Sequence, residues 1–303
     1  MRDEGLLCLH RKLRISLNRE LMGVLSHVGS IALTPHHWPQ PAWPHLKRSV
    51  SWVHSSFAGL EHFLFAELAA AEGVTFTNAK GCFSASLAEF ALFGAKYFML
   101  DYDRARMNKV QKAWAPYFVD ELRTMTMGIV GYGSIGAACA RLAKAYQMRV
   151  VGLRRSGEGA EGVERMYTPD QLCDMMRESD VIVNCLPHTA MTTGFVDRAA
   201  IAAMKPSAVF VNVGRGKTVD EGALVEALRE KRIRGAALDV AHTEPLPADS
   251  PLWGLDNLVL TPHCADKTRV MVRLSVGGTD DLLRRYLSAL RRRLWLTSRA
   301  DFL

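Results

Sequence analysis

The residues Gly131-Tyr132-Gly133-Ser134-Ile135-Gly136 stand between an apolar run, Met127–Val130, and a stretch with apolar residues at helical spacing, Ile135–Gln147. That order constrains the fold more than any other feature of the chain. Each glycine has a geometric task in a strand-turn-helix unit. Gly131 permits the tight turn, Gly133 lets the backbone approach a pyrophosphate, and Gly136 lets helix and strand close on one another. The N–H groups at the start of the helix, those of Ser134 and Ile135 included, then face the anion. A glycine turn of purely structural purpose is the plainer explanation, and the strand before it and the helix after it argue against that.

The unit recurs. Continuously apolar runs follow at Arg149–Leu153, Val181–Leu186, Ala208–Val213, Ala236–Val240 and Leu258–Thr261. They do not alternate, as befits strands buried on both faces. Between them lie stretches with helical spacing, among them Pro169–Glu178, Asp197–Met204 and Asp220–Lys231. Strand and helix in regular succession predict an α/β fold with a doubly wound parallel sheet, the Rossmann arrangement. A chain of 303 residues is long for one core, so a second domain is expected.

The first 125 residues differ. Residues 34–44 hold four prolines and two tryptophans, which predicts a connector. Val50–Val53 reads as a short strand, and Ser84–Leu100 as a long helix with Ser84 at its N-cap. Residues 101–125 mix charges with Trp114, Pro116 and Tyr117, as an arm would. Residues 1–49 show no clear strand-helix unit, and residues 270–296 are helical in period and basic.

Composition narrows the class. The formal charge of +7 suits nucleic acid or a membrane surface, and it suits equally an enzyme of anionic substrates and phosphorylated cofactors. Arg284, Arg285 and Arg291-Arg292-Arg293 are spaced like one solvated helix face. The six cysteines show no paired spacing, so neither a disulfide framework nor a metal site is expected. No apolar run reaches the roughly 18 residues of a membrane span, and charges interrupt the N-terminal apolar stretches. A soluble cytoplasmic protein with neither nucleic-acid nor membrane partners is the expectation.

The strand after the glycine turn bears on the cofactor. NAD sites place an acid about 20 residues beyond the turn, to hold the adenine ribose 2′-hydroxyl. Here that position reads Leu153-Arg154-Arg155-Ser156, and the first carboxylate is Glu158. Two guanidiniums and a hydroxyl suit a 2′-phosphate. NADP(H) is therefore expected in preference to NAD(H), although a solvated basic loop would read the same way.

Three further polar residues follow predicted strands: Arg215 in Val213-Gly214-Arg215-Gly216, Glu244 in Thr243-Glu244-Pro245, and His263 in Thr261-Pro262-His263. All fall at the carboxyl edge of the sheet, where open α/β folds bind ligands. Together they suit reduction of a 2-keto acid. Arg215 would hold the carboxylate and polarise the ketone. His263 would donate the proton, and Glu244, if in contact with it, would favour the imidazolium. Asp239, at the end of its strand, would receive a nicotinamide carboxamide.

These stretches, with Cys185-Leu186-Pro187, Phe210–Gly216, Gly235–Val240 and, upstream, Val53–Glu61, Asn78–Gly81 and Ser86–Glu89, resemble the D-isomer-specific 2-hydroxyacid dehydrogenase family, close to its glyoxylate and hydroxypyruvate reductase members. The resemblance runs through about residues 50–275. It implies a Rossmann domain over 98–269 and a smaller flavodoxin-like substrate domain over 1–97, completed by 270–303. It implies cofactor contacts from Leu186, Pro187, Val213 and Gly214. Substrate contacts would come from the loop that holds Ser56, Ala58 and Gly59, and residues 101–125 would form the arm of a homodimer. Two departures accompany it. Cys264-Ala265-Asp266 stands where relatives carry small residues and a glycine, and the first domain is expected to be shortened. The family also includes corepressors, so a nucleotide-sensing interaction protein, or a truncated and catalytically impaired paralogue, stands as the alternative.

Overall fold

A computed structural model of the chain describes residues 30–34, 50–55, 58–59 and 66–268. The proline-rich residues 35–44 and the basic stretch 270–296 lie outside the described residues. The chain divides into two compact units between Lys80 and Gly81, and each unit has its own sheet.

The smaller unit carries a three-stranded parallel sheet in the order β1-β2-β3, formed by Ser30–Thr34, Val50–Ser55 and Thr75–Asn78. A short helix, α1 (Ala66–Ala69), precedes β3. Strand β2 runs two residues beyond the expected Val50–Val53. Of residues 1–49, which show no clear strand-helix unit in sequence, β1 is the described part. Its five residues, Ser-Ile-Ala-Leu-Thr, are too few to show a period, and β3 is shorter still.

The larger unit is built on seven parallel strands. They are β4 (Thr126–Val130), β5 (Arg149–Leu153), β6 (Arg165–Tyr167), β7 (Val181–Asn184), β8 (Val209–Asn212), β9 (Gly235–Leu238) and β10 (Leu258–Leu260). Their order is β10-β9-β8-β7-β4-β5-β6, so the chain reverses direction across the sheet between β4 and β7. This is the doubly wound order with its switch point beside the glycine turn. The expectation lacked β6, a three-residue edge strand (Arg-Met-Tyr) with no apolar run to announce it.

Helices cover both faces. In chain order they are α2 (Ser84–Met99), α3 (Tyr102–Val110), α4 (Ser134–Ala145), α5 (Leu172–Glu178), α6 (Arg198–Ala202) and α7 (Glu221–Arg229). Helices α2 and α4 pack on one another and on the sheet. Gly94 of α2 lies so close to β8 and β9 that an added Cβ would stand 2.6 Å from Ala237 and 3.4 Å from Val211. The alternate strand residues Phe210, Ala236 and Leu238 point the other way, into a cluster with Met175, Ile201 and Leu224 from α5, α6 and α7. Strands with both faces so covered must be apolar throughout, and β4, β7, β8 and β9 are buried at every position.

Two local readings change. Ser84 is the first residue of α2 and not its cap; Phe83 holds the cap position, and the Ser84 hydroxyl is buried without a partner among the described residues. The arm contains a helix, α3, that buries none of its residues. Beyond it Trp114 and Phe118 are fully exposed, at 98% and 104%.

Candidate active site

Every strand of the larger sheet that carries an expected functional residue delivers it at the carboxyl edge. After β4, Gly131 takes φ +90°, a left-handed conformation that glycine adopts without steric cost. A Cβ there would stand 2.9 Å from the Leu186 side chain, and one on Gly136 would stand 2.9 Å from the Gly131 carbonyl oxygen. Gly133 faces open space, with nothing within 4 Å of an added Cβ. No side chain caps α4, so the N–H groups at Ser134 and Ile135 border that space. A diphosphate fits both the opening and the donors.

At the end of β5, the Arg154 side chain is partly buried. One Nη donates to the Gly159 carbonyl at 2.9 Å and to Glu158 at 3.3 Å, while its buried Nε lacks an acceptor among the described residues. Arg155 and Ser156 are exposed beside it. An orphaned guanidinium N–H next to a hydroxyl and a second arginine fits a phosphate monoester.

Between β7 and β8 lies a buried polar network that the sequence reading missed. Asn184 Nδ2 donates to Asn212 Oδ1 at 3.1 Å and to Thr218 Oγ1 at 2.7 Å. Asn212 Oδ1 in turn accepts from the Gly214 N–H at 3.0 Å, and Thr218 Oγ1 donates to the Arg215 carbonyl at 2.7 Å. Asn184 Oδ1 accepts from the Leu186 N–H at 3.3 Å. Satisfied networks of this kind fix a backbone because each buried group left unpaired is costly. The network thus ties Leu186, Gly214 and Arg215 to one frame. Its sequence signal is two asparagines, each the last residue of a neighbouring apolar strand. Val213 is buried beside the frame and Pro187 is exposed at its rim.

The remaining residues gather after β9 and β10. His263 Nδ1 lies 2.7 Å from Glu244 Oε2, with both side chains about one third exposed. The second Glu244 oxygen accepts the Ala241 N–H at 3.0 Å, which aims the carboxylate. His263 adopts φ +49°, a left-handed conformation rare for a residue with a side chain. Its N–H is held by the Asp239 carbonyl at 2.8 Å and the Thr261 carbonyl at 3.0 Å. The Asp239 carboxylate, itself buried, accepts from Thr261 Oγ1 at 2.6 Å and from the N–H groups of Cys264 and Ala265. Asp239 therefore clasps the turn that presents His263. Glu221 was also missed; it accepts the His242 N–H at 2.7 Å on the neighbouring loop.

Charge follows geometry. The hydrogen bond that His263 donates to Glu244 raises the His263 pKa above its ordinary value. Burial opposes this, the Glu244 charge adds to it, and Arg215 counteracts it. Burial pushes the Glu244 carboxyl upward, but His263, the Ala241 N–H and Arg215 together hold it below the usual carboxylate range. This pairing contributes stability that is complete below the ordinary histidine pKa and is lost as pH rises through the raised one. At the acid end it is lost as pH falls through the depressed Glu244 value. Burial also raises Asp266, beside His263.

Of the expected substrate loop, Ala58 and Gly59 belong to the smaller unit, where Asn78 Nδ2 donates to the Ala58 carbonyl at 2.9 Å. Ser56 lies outside the described residues. Among the described residues, no group of His, Cys, Asp and Glu is placed to hold a metal, and no helix is long and apolar enough to cross a membrane.

Residues 97–265 match the family model for the D-isomer specific 2-hydroxyacid dehydrogenase, NAD binding domain. A glyoxylate reductase from Aeropyrum pernix is 35% identical over 227 residues, covering 72% of this chain and 68% of its own. The crystal structure of the D-isomer specific 2-hydroxyacid dehydrogenase from Xanthobacter autotrophicus, in complex with NADPH and MES, aligns with a TM-score of 0.74. It is 28% identical and covers 86% of this chain and 81% of its own. An NADPH-dependent glyoxylate/hydroxypyruvate reductase from Sinorhizobium meliloti, in complex with NADP and sulfate, gives a TM-score of 0.74 at 25% identity, over 86% and 82% of the two chains. Glycine turn, doubly wound sheet and matched sequence agree: the chain belongs to the D-isomer specific 2-hydroxyacid dehydrogenase family, oxidoreductases that transfer a hydride between a nicotinamide cofactor and a small 2-hydroxy or 2-keto acid.

Proposed function

We propose that this chain is an NADPH-preferring reductase of small 2-keto acids of the glyoxylate or hydroxypyruvate type. The observation that carries the reading is the 2.7 Å contact between His263 and Glu244, on the same sheet edge as Arg215 and the glycine turn. The nicotinamide cofactor supplies the hydride when bound. Arg215 holds the substrate carboxylate and ketone oxygen by forked donors. His263, whose protonated form Glu244 favours, gives its proton to the ketone oxygen as the carbon is reduced, and takes it back in the reverse direction. Ser56, Ala58 and Gly59 would complete carboxylate binding. Leu186, Pro187, Val213 and Gly214 would line the cofactor cleft, and Asp239 would receive the carboxamide while it holds the His263 turn. Residues 98–269 would form the cofactor domain, and residues 1–97 with 270–303 the substrate domain.

A homodimer joined through the arm would account for the exposure of Val110, Trp114 and Phe118, large apolar side chains that a partner surface could cover. A cytoplasmic setting, with no nucleic-acid or membrane partner, accords with this chemistry. The test is a panel of 2-keto acids with NADPH and NADH, followed by cofactor absorbance. Turnover of glyoxylate or hydroxypyruvate with NADPH is expected; tight cofactor binding without turnover of any member would favour the nucleotide-sensing alternative.

Two variants refine the reading. Replacing Arg154 and Arg155 with serine should weaken NADPH by roughly tenfold or more while leaving NADH nearly unchanged, because charge-assisted bonds to the 2′-phosphate are lost. Equal weakening of both cofactors, measured by titration, would contradict the 2′-phosphate assignment. Reduction should fall as pH rises through the raised His263 pKa. Glu244→Gln should move that fall to lower pH by on the order of one unit, since the charge favouring imidazolium is gone. An unchanged profile of kcat/KM against pH would remove Glu244 from this role.

A further inference from the structure

We propose that Glu158 is a built-in competitor for the 2′-phosphate subsite, and that it sets how strongly this chain prefers NADPH over NADH. The inference rests on the cofactor reading above and extends it to a residue outside the recognised turn.

The segment Arg154-Arg155-Ser156-Gly157-Glu158 folds back on itself. The Gly157 N–H donates to the Arg154 carbonyl at 3.1 Å, and Gly157 takes φ +66°. The turn returns the Glu158 carboxylate to the groups that precede it. Its Oε2 accepts from Arg154 Nη2 at 3.3 Å and from Ser156 Oγ at 3.3 Å, and the Glu158 N–H donates to Ser156 Oγ at 3.4 Å. One guanidinium and one hydroxyl thus already hold an oxyanion. These are the same donors that a phosphate monoester would use at the end of β5.

The two sides of the contact differ in freedom. The Arg154 side chain is 28% exposed and fixed by its bond to the Gly159 carbonyl, whereas the Glu158 side chain is 76% exposed. An ion pair with so exposed a partner is weak, so a doubly charged phosphate can displace the carboxylate from these donors. The displaced carboxylate is tethered to the same turn and stays within a Debye length of the phosphate, where the two charges repel. The 2′-hydroxyl of NADH carries no charge and can donate to a carboxylate, which is the task an acid performs in NAD sites. Glu158 therefore penalises one cofactor and accommodates the other. A residue that only braced the turn would move both cofactors in the same direction.

The experiment is calorimetric titration of the whole chain, wild type and Glu158→Gln, with adenosine 2′,5′-bisphosphate and with AMP, which differ only in the 2′-phosphate. NADPH and NADH follow. Glu158→Ala serves as a second variant, and thermal unfolding of each checks the fold. Removing the charge is expected to tighten the bisphosphate and NADPH by about three- to tenfold, while AMP and NADH stay unchanged or weaken. Affinities that move together, or do not move, would overturn the competition while leaving the NADPH preference standing. If the wild type binds bisphosphate no tighter than AMP, and the Arg154 and Arg155 double variant leaves that ratio unchanged, the cofactor reading fails and the competition with it.

Discussion

Replacing His263 with alanine is expected to lower turnover in 2-keto acid reduction by about 10²–10⁴-fold, the span of a positioned acid-base group, while cofactor affinity changes little. The ketone oxygen gains negative charge as the hydride arrives and needs a proton from a group already in place. Glu244, at 2.7 Å, favours the charged imidazolium and orients it. The backbone holds His263 at φ +49°, a conformation that costs on the order of 1–2 kcal/mol outside glycine. That cost is offset by the Asp239 and Thr261 carbonyls, which bind the His263 N–H, and by the Asp239 carboxylate, which ties down the next two residues. Strain so braced marks a side chain whose direction matters. Turnover of His263→Ala within a few-fold of wild type, with single-turnover rates equally unaffected, would take His263 out of the mechanism.

The second large effect is structural. A Cβ on Gly216 would stand 1.9 Å from the Ala241 carbonyl carbon and oxygen, and 2.4 Å from the His242 nitrogen. These are backbone atoms of the loop that leads to Glu244, so no side-chain rotation relieves the overlap. Gly216→Ala must push the Arg215 turn and the 241–244 loop apart. That displacement strains the hydrogen bonds by which Asn212 and Thr218 hold Gly214 and Arg215. A loss of about 3 kcal/mol or more is expected, seen as a fall in melting temperature of roughly 6–12 °C. Activity should drop beyond what stability explains, because Arg215 and Glu244 separate. An unaltered melting temperature would show that the two loops do not meet as described.

The sequence spoke most clearly where one physical demand had one chemical answer. Strands buried on both faces must be apolar throughout, so β4, β5, β7, β8 and β9 stood out with ends misplaced by two residues or fewer. The glycine turn was legible because Gly131 and Gly136 each answer a steric requirement visible in the spacing. β1, β3 and β6 were silent: β3 and β6 mix polar residues into three or four positions, and β1 has only three apolar residues between Ser30 and Thr34. Ser84 suits an N-cap by residue type, yet the helix begins there because the cap position is decided by backbone geometry at Phe83. Arg215, Glu244 and His263 could be set on one edge because each follows a strand. The clasp of Asp239 on the His263 turn, and the Asn184-Asn212-Thr218 network, depend on contacts between strands far apart in the chain. Those contacts exist only once the sheet order is known.

At the centre stands the transfer of a hydride from NADPH to the carbonyl carbon of a 2-keto acid, on the face that gives the D-isomer. It is tested most directly by incubating hydroxypyruvate with NADPH carrying deuterium at the transferable position, then analysing the product by mass spectrometry and chiral separation. The expected product is D-glycerate with one deuterium on the carbon that had borne the ketone. Oxidised cofactor without labelled product, or a labelled L-isomer, would contradict it.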